Sequence, residues 1–307
     1  MSKANSRKSR LVYNCYIDTR HAYTLLLPAL LIIGVFILYP IIKTLRLAVM
    51  DYSLLRPSDI RFVFLDNFFR LLKEKIFFIS LQNAVTYAFL TVLLQFVLGF
   101  WLALLLKNMK SGKGLYRTVI FSPWAVSGVL TSVIWSLMYN NNFGFINDFL
   151  LRTHLISEGI IWKGTPENAM FCVIIAATWR GIPYFAISLL ACLLSVPNEL
   201  YQAAWVDGAG AVKSFFYVTL PFARETIFLT TLLRFIWTFN DVDIIYSMTG
   251  GGPNNGTLTL PVYIVQEAVN KLNFGYAAAL TVCLFVILLI FSIVYLHFGK
   301  SDNDFSA

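Results

Sequence analysis

Six long apolar runs dominate this sequence and restrict what it can fold into. They cover roughly residues 22–49, 77–106, 118–138, 169–194, 227–248 and 275–298. A helix needs about 20 apolar residues to cross the hydrocarbon core of a bilayer. Lipid offers no hydrogen-bond partners to exposed backbone groups, and these runs lack the alternating pattern of barrel strands. The sequence therefore predicts an all-α membrane protein, a bundle of six spanning helices.

The composition agrees with a membrane location and argues against several functions. Charged residues make up 13% of the 307 residues, against about a quarter in soluble domains. The formal charge of +8 would favour nucleic acid as the partner of a soluble protein. Here we assign it to basic loops and predict no nucleic-acid partner. The four cysteines and three histidines lack the spacing of a metal site or disulfide framework, so we predict no metal and no cofactor.

Basic residues predict the orientation of the bundle. The segment before the first run and the loop after the second are rich in lysine and arginine, and such loops stay in the cytoplasm. With six spans, both termini lie inside, as cytoplasmic tails over residues 1–21 and 299–307 around a membrane domain over 22–298. The same scheme puts 195–225 in the cytoplasm. One exception remains, because 43–75 lies outside and yet holds seven basic residues against four acids.

The segment 197–221 interrupts the apolar pattern with small residues and is bounded by two prolines. Its first part has helical spacing on one face, at Tyr201, Ala204, Trp205 and Gly208. Asp207 and Gly208 break that helix, and we expect the Asp207 side chain to cap a second short helix. Phe215 and Phe216 are suited to packing beneath the turn. The result is a compact hairpin that another protein can approach closely; the alternative is an ordinary surface loop or re-entrant loop.

This stretch, "YQAAWVDGAGAVKSFFYVTLP", resembles the coupling loop of bacterial ABC importer permeases. That loop carries Glu-Ala-Ala, then Asp-Gly-Ala and, after a fixed interval, Leu-Pro. The matching residues here are Gln202, Ala203, Ala204, Asp207, Gly208, Ala209, Leu220 and Pro221. Gln202 stands where the family usually has glutamate. "LLLPALLIIGVFILYP", "FLDNFFRLL", "WRGIPYFAISLLACLLSVPNELYQAA" and "FIWTFNDVDIIYSMTGGGPNNGTLTLPVYI" resemble the carbohydrate-uptake branch of the same family.

The resemblance implies the type I importer permease fold in a bacterial inner membrane. It also implies a heteromeric transporter complex with a second, similar permease subunit, two cytoplasmic ATPase subunits and an extracytoplasmic solute-binding protein. Each ATPase would receive one hairpin, which in this chain would contribute Tyr201, Gln202, Ala203, Ala204, Asp207, Gly208 and Ala209. The chain itself would not be an enzyme. The motif G-x-x-x-x-G-K-[ST] of a phosphate-binding loop does not occur in the sequence.

Ionisable residues inside spans are candidates for function because their burial is costly. Arg180 lies in the fourth run and Arg234 in the fifth, where Arg234, Trp237, Thr238 and Asp241 share one helical face. In the family, sugar contacts come from these two spans. The motif carries them onto Trp179, Arg180, Gly181, Tyr184, Arg234, Thr238, Asn240 and Asp241. The alternatives are an Arg234–Asp241 ion pair that orients helices, and aromatic residues that only pack.

Two questions about function stay open at this stage. Two arginines suit carboxylate, sulfate or phosphate groups, so an acidic saccharide is one hypothesis for the cargo, and a neutral sugar is the other. An ion-coupled secondary transporter and a membrane enzyme are alternative classes of protein. The first would more often show repeat symmetry, and the second would need a clustered nucleophile, metal set or carboxylate pair.

Overall fold

The computed structural model describes residues 22–109 and 111–300, and helices make up most of this part of the chain. The predicted tail over 1–21 and residues 301–307 of the second tail lie outside the described residues. The helices are α1 Ala22–Ala48, α2 Asp66–Lys73, α3 Lys75–Asn108, α4 Lys113–Phe121, α5 Gly128–Met138, α6 Phe145–Arg152, α7 Pro166–Ser195, α8 Asn198–Val206, α9 Ala211–Ser214, α10 Leu220–Phe239, α11 Asp243–Met248, α12 Leu260–Val265 and α13 Phe274–Lys300. Two short strands, β1 Met50–Asp51 and β2 Arg61–Phe62, pair antiparallel.

Four of the six predicted spans are long apolar helices in the structure, namely α1, α3, α7 and α13. The predicted run 118–138 is instead two segments, 114–125 and 128–138, that meet at 97°. Pro123 lies in a 3₁₀ turn, Ser122–Ala125, at the end of the first segment. The hydroxyl of Ser127 then accepts a hydrogen bond from the Leu130 N–H and caps α5. A proline stop followed by a new cap explains why this span bends sharply.

The predicted run 227–248 is also broken. Its main helix, α10, begins earlier, at Leu220, and ends at Phe239, and α11 follows after a short connection. Asn240 and Asp241 stand in that connection, where short polar side chains favour turns over helix. A single continuous helix over 227–248 was therefore the wrong expectation, and the polar residues at the break lie close to the predicted substrate site.

Helices α3 and α7 form the centre of the bundle because small residues let them approach closely. A Cβ on Gly99 of α3 would lie 2.6 Å from the Cβ of Phe185 on α7. Ala88 and Ala103 of α3 and Ala177 of α7 are buried along the same contact. Small residues at helix contacts are the usual solution in membranes, where packing replaces the hydrophobic effect. Helix α10 packs against both, so all three meet at the middle of the bundle.

The two ends of the bundle differ, and we name them by what they carry. The hairpin end holds α8 and α9, together with the ends of α3 and α7. The opposite end holds the β1–β2 pair, α2, α12 and the start of α13. There, Glu74 accepts hydrogen bonds from Arg70, Tyr263 and Tyr276 at 2.8, 2.9 and 2.8 Å, and so joins α2 to α12 and α13.

The pKa of Glu74 lies below the ordinary value of a glutamate. Burial opposes ionisation of the carboxyl, but the hydrogen bonds from Tyr276, Arg70 and Tyr263 together outweigh it. Glu74 is therefore a charged anchor of the opposite end at neutral pH.

Candidate functional site

A layer of polar side chains crosses the middle of the bundle. Helix α3 contributes Tyr87, Thr91 and Gln95, spaced four residues apart and therefore on one face. All three are buried. Gln95 bonds to α7 and α10, and Tyr87 bonds to Asp241 in the connection after α10. Polar groups are costly inside a membrane unless they are paired, so this face is a candidate for a functional site.

Arg234 is the centre of this polar layer. Its Nε donates a hydrogen bond of 2.6 Å to Oε1 of Gln95, and Nε2 of Gln95 donates one of 2.8 Å to the Ala177 carbonyl. The guanidinium carbon also lies 5.7 Å from the ring centroid of Tyr184. Arg234 thus connects α10 to α3 and, through Gln95 and Tyr184, to α7. A hydrogen bond that involves a charged group is stronger than a neutral one, so this connection fixes the three helices firmly.

Gly181 makes this arrangement sterically possible. A Cβ at this position would overlap the Arg234 guanidinium and the Gln95 amide. Gly181 belongs to the predicted substrate-binding set, which stays a prediction. In the structure it is buried against Arg234 and leaves room for the hydrogen bond between Arg234 and Gln95.

Asp241 and Arg234 share the layer without forming an ion pair among the contacts of the described residues. Asp241 instead accepts a hydrogen bond of 3.2 Å from the Tyr87 hydroxyl, and the charges of both Arg180 and Arg234 act on it. The alternative of a direct Arg234–Asp241 pair is therefore wrong. Each group has its own polar partner on α3.

The remaining predicted residues of α7 contact different neighbours. Nε of Arg180 donates a hydrogen bond of 3.1 Å to the Val126 carbonyl, at the bend between α4 and α5. The ring of Trp179 meets the ring of Trp135 on α5 edge to face, at 6.2 Å. Tyr184 lies four residues after Arg180, on the same side of α7, and meets Trp237 of α10 at 5.5 Å. The predicted residues of α7 thus contact α5 and the bend before it as well as α10.

Two members of the predicted set are placed differently from the rest. Thr238 is buried, and its hydroxyl has no hydrogen-bond partner in the described chain. Asn240 is exposed, and its amide donates to the Ile236 carbonyl of its own helix. Tyr87 and Gln95 are not in the set predicted from the sequence, which considered ionisable groups inside the spans. The sequence does carry a signal for Gln95, since it is the only amide side chain among residues 84–106 of the second apolar run.

The hairpin closes through its backbone, and one expectation about it was wrong. Gly208 has φ +76°, its N–H bonds to the Trp205 carbonyl at 3.0 Å, and the Ala209 N–H bonds to the Ala204 carbonyl at 2.8 Å. This pair of bonds is a Schellman motif, which requires a left-handed residue after the helix. Asp207 is the C-cap residue that follows α8 and does not cap α9, whose N-cap, Gly210, has no side-chain capping bond.

The base of the hairpin is fixed to α3. Nζ of Lys107 donates a hydrogen bond of 2.9 Å to the Tyr201 hydroxyl, which also pairs with the Thr219 hydroxyl at 3.0 Å. Phe215 packs on Phe100 of α3 with ring centroids 5.5 Å apart. Phe216 is exposed, so the expectation that both phenylalanines pack beneath the turn held only for Phe215.

The tip of the hairpin exposes apolar side chains. Val206 is 88% exposed, Trp205 66%, Val212 71% and Tyr217 80%. Of the predicted coupling residues, Gln202, Ala203, Asp207 and Gly208 are exposed beside them, whereas Tyr201, Ala204 and Ala209 are half-buried. Several large apolar side chains exposed on one short hairpin are typical of a protein-contact surface.

Comparison with known proteins decides the family. Residues 95–301 match a family described as the binding-protein-dependent transport system inner membrane component. The matched residues include Gln95, Arg234 and Asp241 of the polar layer and the whole hairpin. The chain belongs to this family. It is therefore a permease component of a transport system and not an enzyme, which also decides against the secondary transporter.

The permease is similar over nearly its whole length to a protein of known transport class. It is 33% identical over 300 residues to the trehalose/maltose transport system permease of Thermococcus litoralis, a match that covers 98% of this chain and 99% of the relative.

Two solved structures of a bacterial ABC transporter for alginate share the fold. One, described as an importer of the acidic polysaccharide alginate, has a TM-score of 0.82 at 20% identity and covers 96% of this chain and 99% of that chain. The other contains a periplasmic protein with bound alginate pentasaccharide, and has a TM-score of 0.81 at 20% identity over 94% and 97%. The predicted all-α fold of a type I importer permease is confirmed.

Proposed function

We propose that this permease is the membrane-spanning subunit of an ATP-driven, binding-protein-dependent sugar importer in a bacterial inner membrane. It works by alternating access together with a second, similar permease. Two cytoplasmic ATPase subunits supply the energy, and an extracytoplasmic solute-binding protein delivers the sugar. The observation that carries this proposal is the hairpin, a rigid element with an exposed apolar tip and a base bonded to α3.

The hairpin has the properties needed to transmit force. Its exposed apolar tip loses unfavourable contact with water when a partner covers it. Its base contacts α3 through the Tyr201–Lys107 hydrogen bond and the packing of Phe215 on α3. Its C-terminal side continues through a π-helical turn, Phe215–Thr219, into α10. Movement of a docked ATPase would therefore be passed to α3 and α10, the two helices that hold the Arg234–Gln95 bond.

A pair of matched substitutions tests the docking surface. Val206→Asp places a charge on the most exposed apolar residue of the tip, and Leu155→Asp does the same at a residue of the opposite end that is 69% exposed. We expect Val206→Asp to abolish co-purification of the ATPase subunits and sugar uptake, while the amount of inserted permease is unchanged. Leu155→Asp should leave co-purification of the ATPase normal. If the Val206→Asp variant binds its ATPase and imports sugar at the wild-type rate, the docking role is wrong.

The proposed orientation puts the hairpin and both termini in the cytoplasm. It follows from the basic loops and from the need of the hairpin to reach an ATPase. In a cysteine-free background, a cysteine at Gly112 should be protected from an impermeant thiol reagent added outside, and a cysteine at Asn255 should be labelled. The reverse pattern of labelling would place the hairpin on the side without ATP.

We propose that the sugar contacts the polar layer and the aromatic rings beside it. The predicted substrate-binding residues are Trp179, Arg180, Gly181, Tyr184, Arg234, Thr238, Asn240 and Asp241. The exposed ring of Trp237 and the half-buried rings of Tyr184 and Trp179 offer flat surfaces for the C–H faces of a sugar. The buried Thr238 hydroxyl, which has no partner in the described chain, is available to a sugar hydroxyl. The similarity to a trehalose/maltose permease supports a saccharide as the cargo.

The finer proposal is that this saccharide is acidic. The charges of two guanidinium groups, those of Arg180 and Arg234, act on the carboxylate of Asp241, as does the charge of a second carboxylate, Asp243. The proposal rests on the two guanidinium groups, which suit the carboxylate, sulfate or phosphate of an acidic sugar. The alginate importer of the same fold supports the proposal, whereas the trehalose/maltose relative favours a neutral cargo.

Arg180→Gln tests the acidic cargo, because it keeps a donor for the Val126 carbonyl and removes the charge. Uptake of an acidic oligosaccharide should then fall steeply while assembly with the ATPase persists. Uptake that survives Arg180→Gln combined with Arg234→Gln would favour a neutral cargo.

A further inference from the structure

A cavity of about 390 Å³ lies at the opposite end of the bundle, where α1 meets the β1–β2 pair. Lys43 and Arg46 on the last turns of α1 form its charged wall. Leu54, Ile60 and Phe274 contribute to its apolar wall. None of these residues takes part in the proposed sugar site or the hairpin.

The position of the cavity along α1 places it at the surface of the bilayer. Residues 22–42 contain no charged side chain, and about 20 residues of helix span the hydrocarbon core. Lys43 and Arg46 are the first charged residues after that stretch and are therefore at the level of the lipid headgroups. The start of α13, at Phe274, lies at the same level because it lines the same cavity.

The two cations have no acidic partner in the part of the chain that the structure describes. Asp59, the acid next to the apolar wall, is bonded to Arg61 at 2.7 Å, and the charge of Asp51 also acts on Arg61. Lys43 and Arg46 stand three residues apart on α1 and are neighbours on its surface, where like charges repel. An anion between them would remove this repulsion.

We propose that the cavity binds the headgroup of one anionic phospholipid, with the phosphate on Lys43 and Arg46 and the acyl chains along the exposed apolar part of α1 that precedes Lys43. Basic groups at the membrane surface attract anionic lipid, and lysine and arginine both bind phosphate. No acid lines the cavity, so a headgroup with net negative charge fits better than a zwitterionic one. This lipid accounts in part for the basic segment 43–75, which is the exception to the charge rule for outer loops.

Native mass spectrometry of the full chain with added phosphatidylglycerol tests the site. Each basic residue near an anionic surface strengthens binding about five-fold, so Lys43→Gln combined with Arg46→Gln should weaken binding of one phosphatidylglycerol roughly thirty-fold. The control is Arg56→Gln combined with Lys73→Gln, which removes the same charge from exposed residues outside the cavity lining. It should leave that binding step unchanged.

Several results would overturn the proposal. Equal loss of binding in the control pair would show general attraction to the surface, and unchanged binding in the Lys43/Arg46 pair would show that the cavity is not the site. Equal affinity for phosphatidylcholine would remove the role of headgroup charge. Displacement of the lipid by millimolar inorganic phosphate would make the cavity a site for a free anion. The measurement does not depend on the sugar or the ATPase, so it can fail while the transport proposal stands.

Discussion

The polar layer and the hairpin are held together in opposite ways. Side chains fix the polar layer, through the bonds between Arg234, Gln95 and the Ala177 carbonyl and through the space left at Gly181. The backbone closes the hairpin, through the turn at Gly208, and its exposed side chains take little part in that closure. In the layer, a change that breaks the Arg234–Gln95 bond should therefore affect folding as well as transport. At the hairpin, the two effects should separate.

Gly181→Ala should have the largest effect, because the added methyl group displaces either the Arg234 guanidinium or the Gln95 amide. Overpacking costs about 1–3 kcal/mol, and a buried polar group left without its partner costs about as much again. We expect a clear loss of thermal stability of the purified permease together with loss of uptake. The control is Gly34→Ala, on α1, where a Cβ has nothing within 4 Å and should be harmless. A stable Gly181→Ala variant with normal uptake would show that the layer is loosely packed.

Gln95→Leu tests the same bond from the other side and should have the next largest effect. It leaves the Nε of Arg234 without its acceptor, and a hydrogen bond to a charged group contributes about 1.5–3 kcal/mol. Gln95→Glu restores an acceptor for Arg234, although it loses the donor to the Ala177 carbonyl. We therefore expect Gln95→Glu to recover part of the thermal stability and uptake that Gln95→Leu loses. Equal loss in both variants would mean that the Ala177 bond is the more important contact.

The sequence allowed the fold class to be predicted, because lipid permits few alternatives to long apolar helices. It did not allow the polar layer to be predicted in detail. Gln95 and Arg234 are 139 positions apart in sequence, and a neutral amide in an apolar run carries no strong signal. The substrate-site assignment of Gly181 stays a prediction, and only the position of Arg234 explains why this residue is a glycine. The bend before α5 has local causes in Pro123 and Ser127, and the distant Arg180 adds a hydrogen bond to the Val126 carbonyl there.

Gly208→Leu should leave the polar layer intact and change only the hairpin. At φ +76° any residue with a Cβ is strained by about 1–2 kcal/mol, although no atom lies within 4 Å of the added carbon. The permease should fold and insert, while ATP hydrolysis becomes uncoupled from uptake. Gly210→Ala is the matched control, since Gly210 has φ −71° and equally open surroundings. Normal uptake by Gly208→Leu with normal ATPase binding would contradict the proposed coupling.

Glu74 offers a comparison for the polar layer, since it is also bonded by several side chains but lies at the surface of the opposite end. Its pKa is lowered in the folded permease, so its contribution to stability is present above the unfolded value of about 4.5 and is lost as pH falls through the lower folded value. Thermal stability should therefore fall as pH drops below the unfolded pKa of about 4.5, and Glu74→Gln should reduce this pH dependence. An unchanged pH profile in Glu74→Gln would mean that other carboxylates cause the acid sensitivity.

Asp207→Ala should have the smallest effect on folding and is the sharpest test of what the hairpin does. Since Asp207 makes no capping bond to α9, its loss should change the free energy of unfolding by less than about 0.5 kcal/mol, the usual range for an exposed side chain. Its carboxylate is exposed beside the apolar tip, where only a partner protein would contact it. Loss of coupled uptake with unchanged thermal stability would therefore indicate a contact with the ATPase. If Asp207→Ala instead lowers thermal stability as much as Gly208→Leu, Asp207 supports the turn, and the separation between folding and function at the hairpin fails.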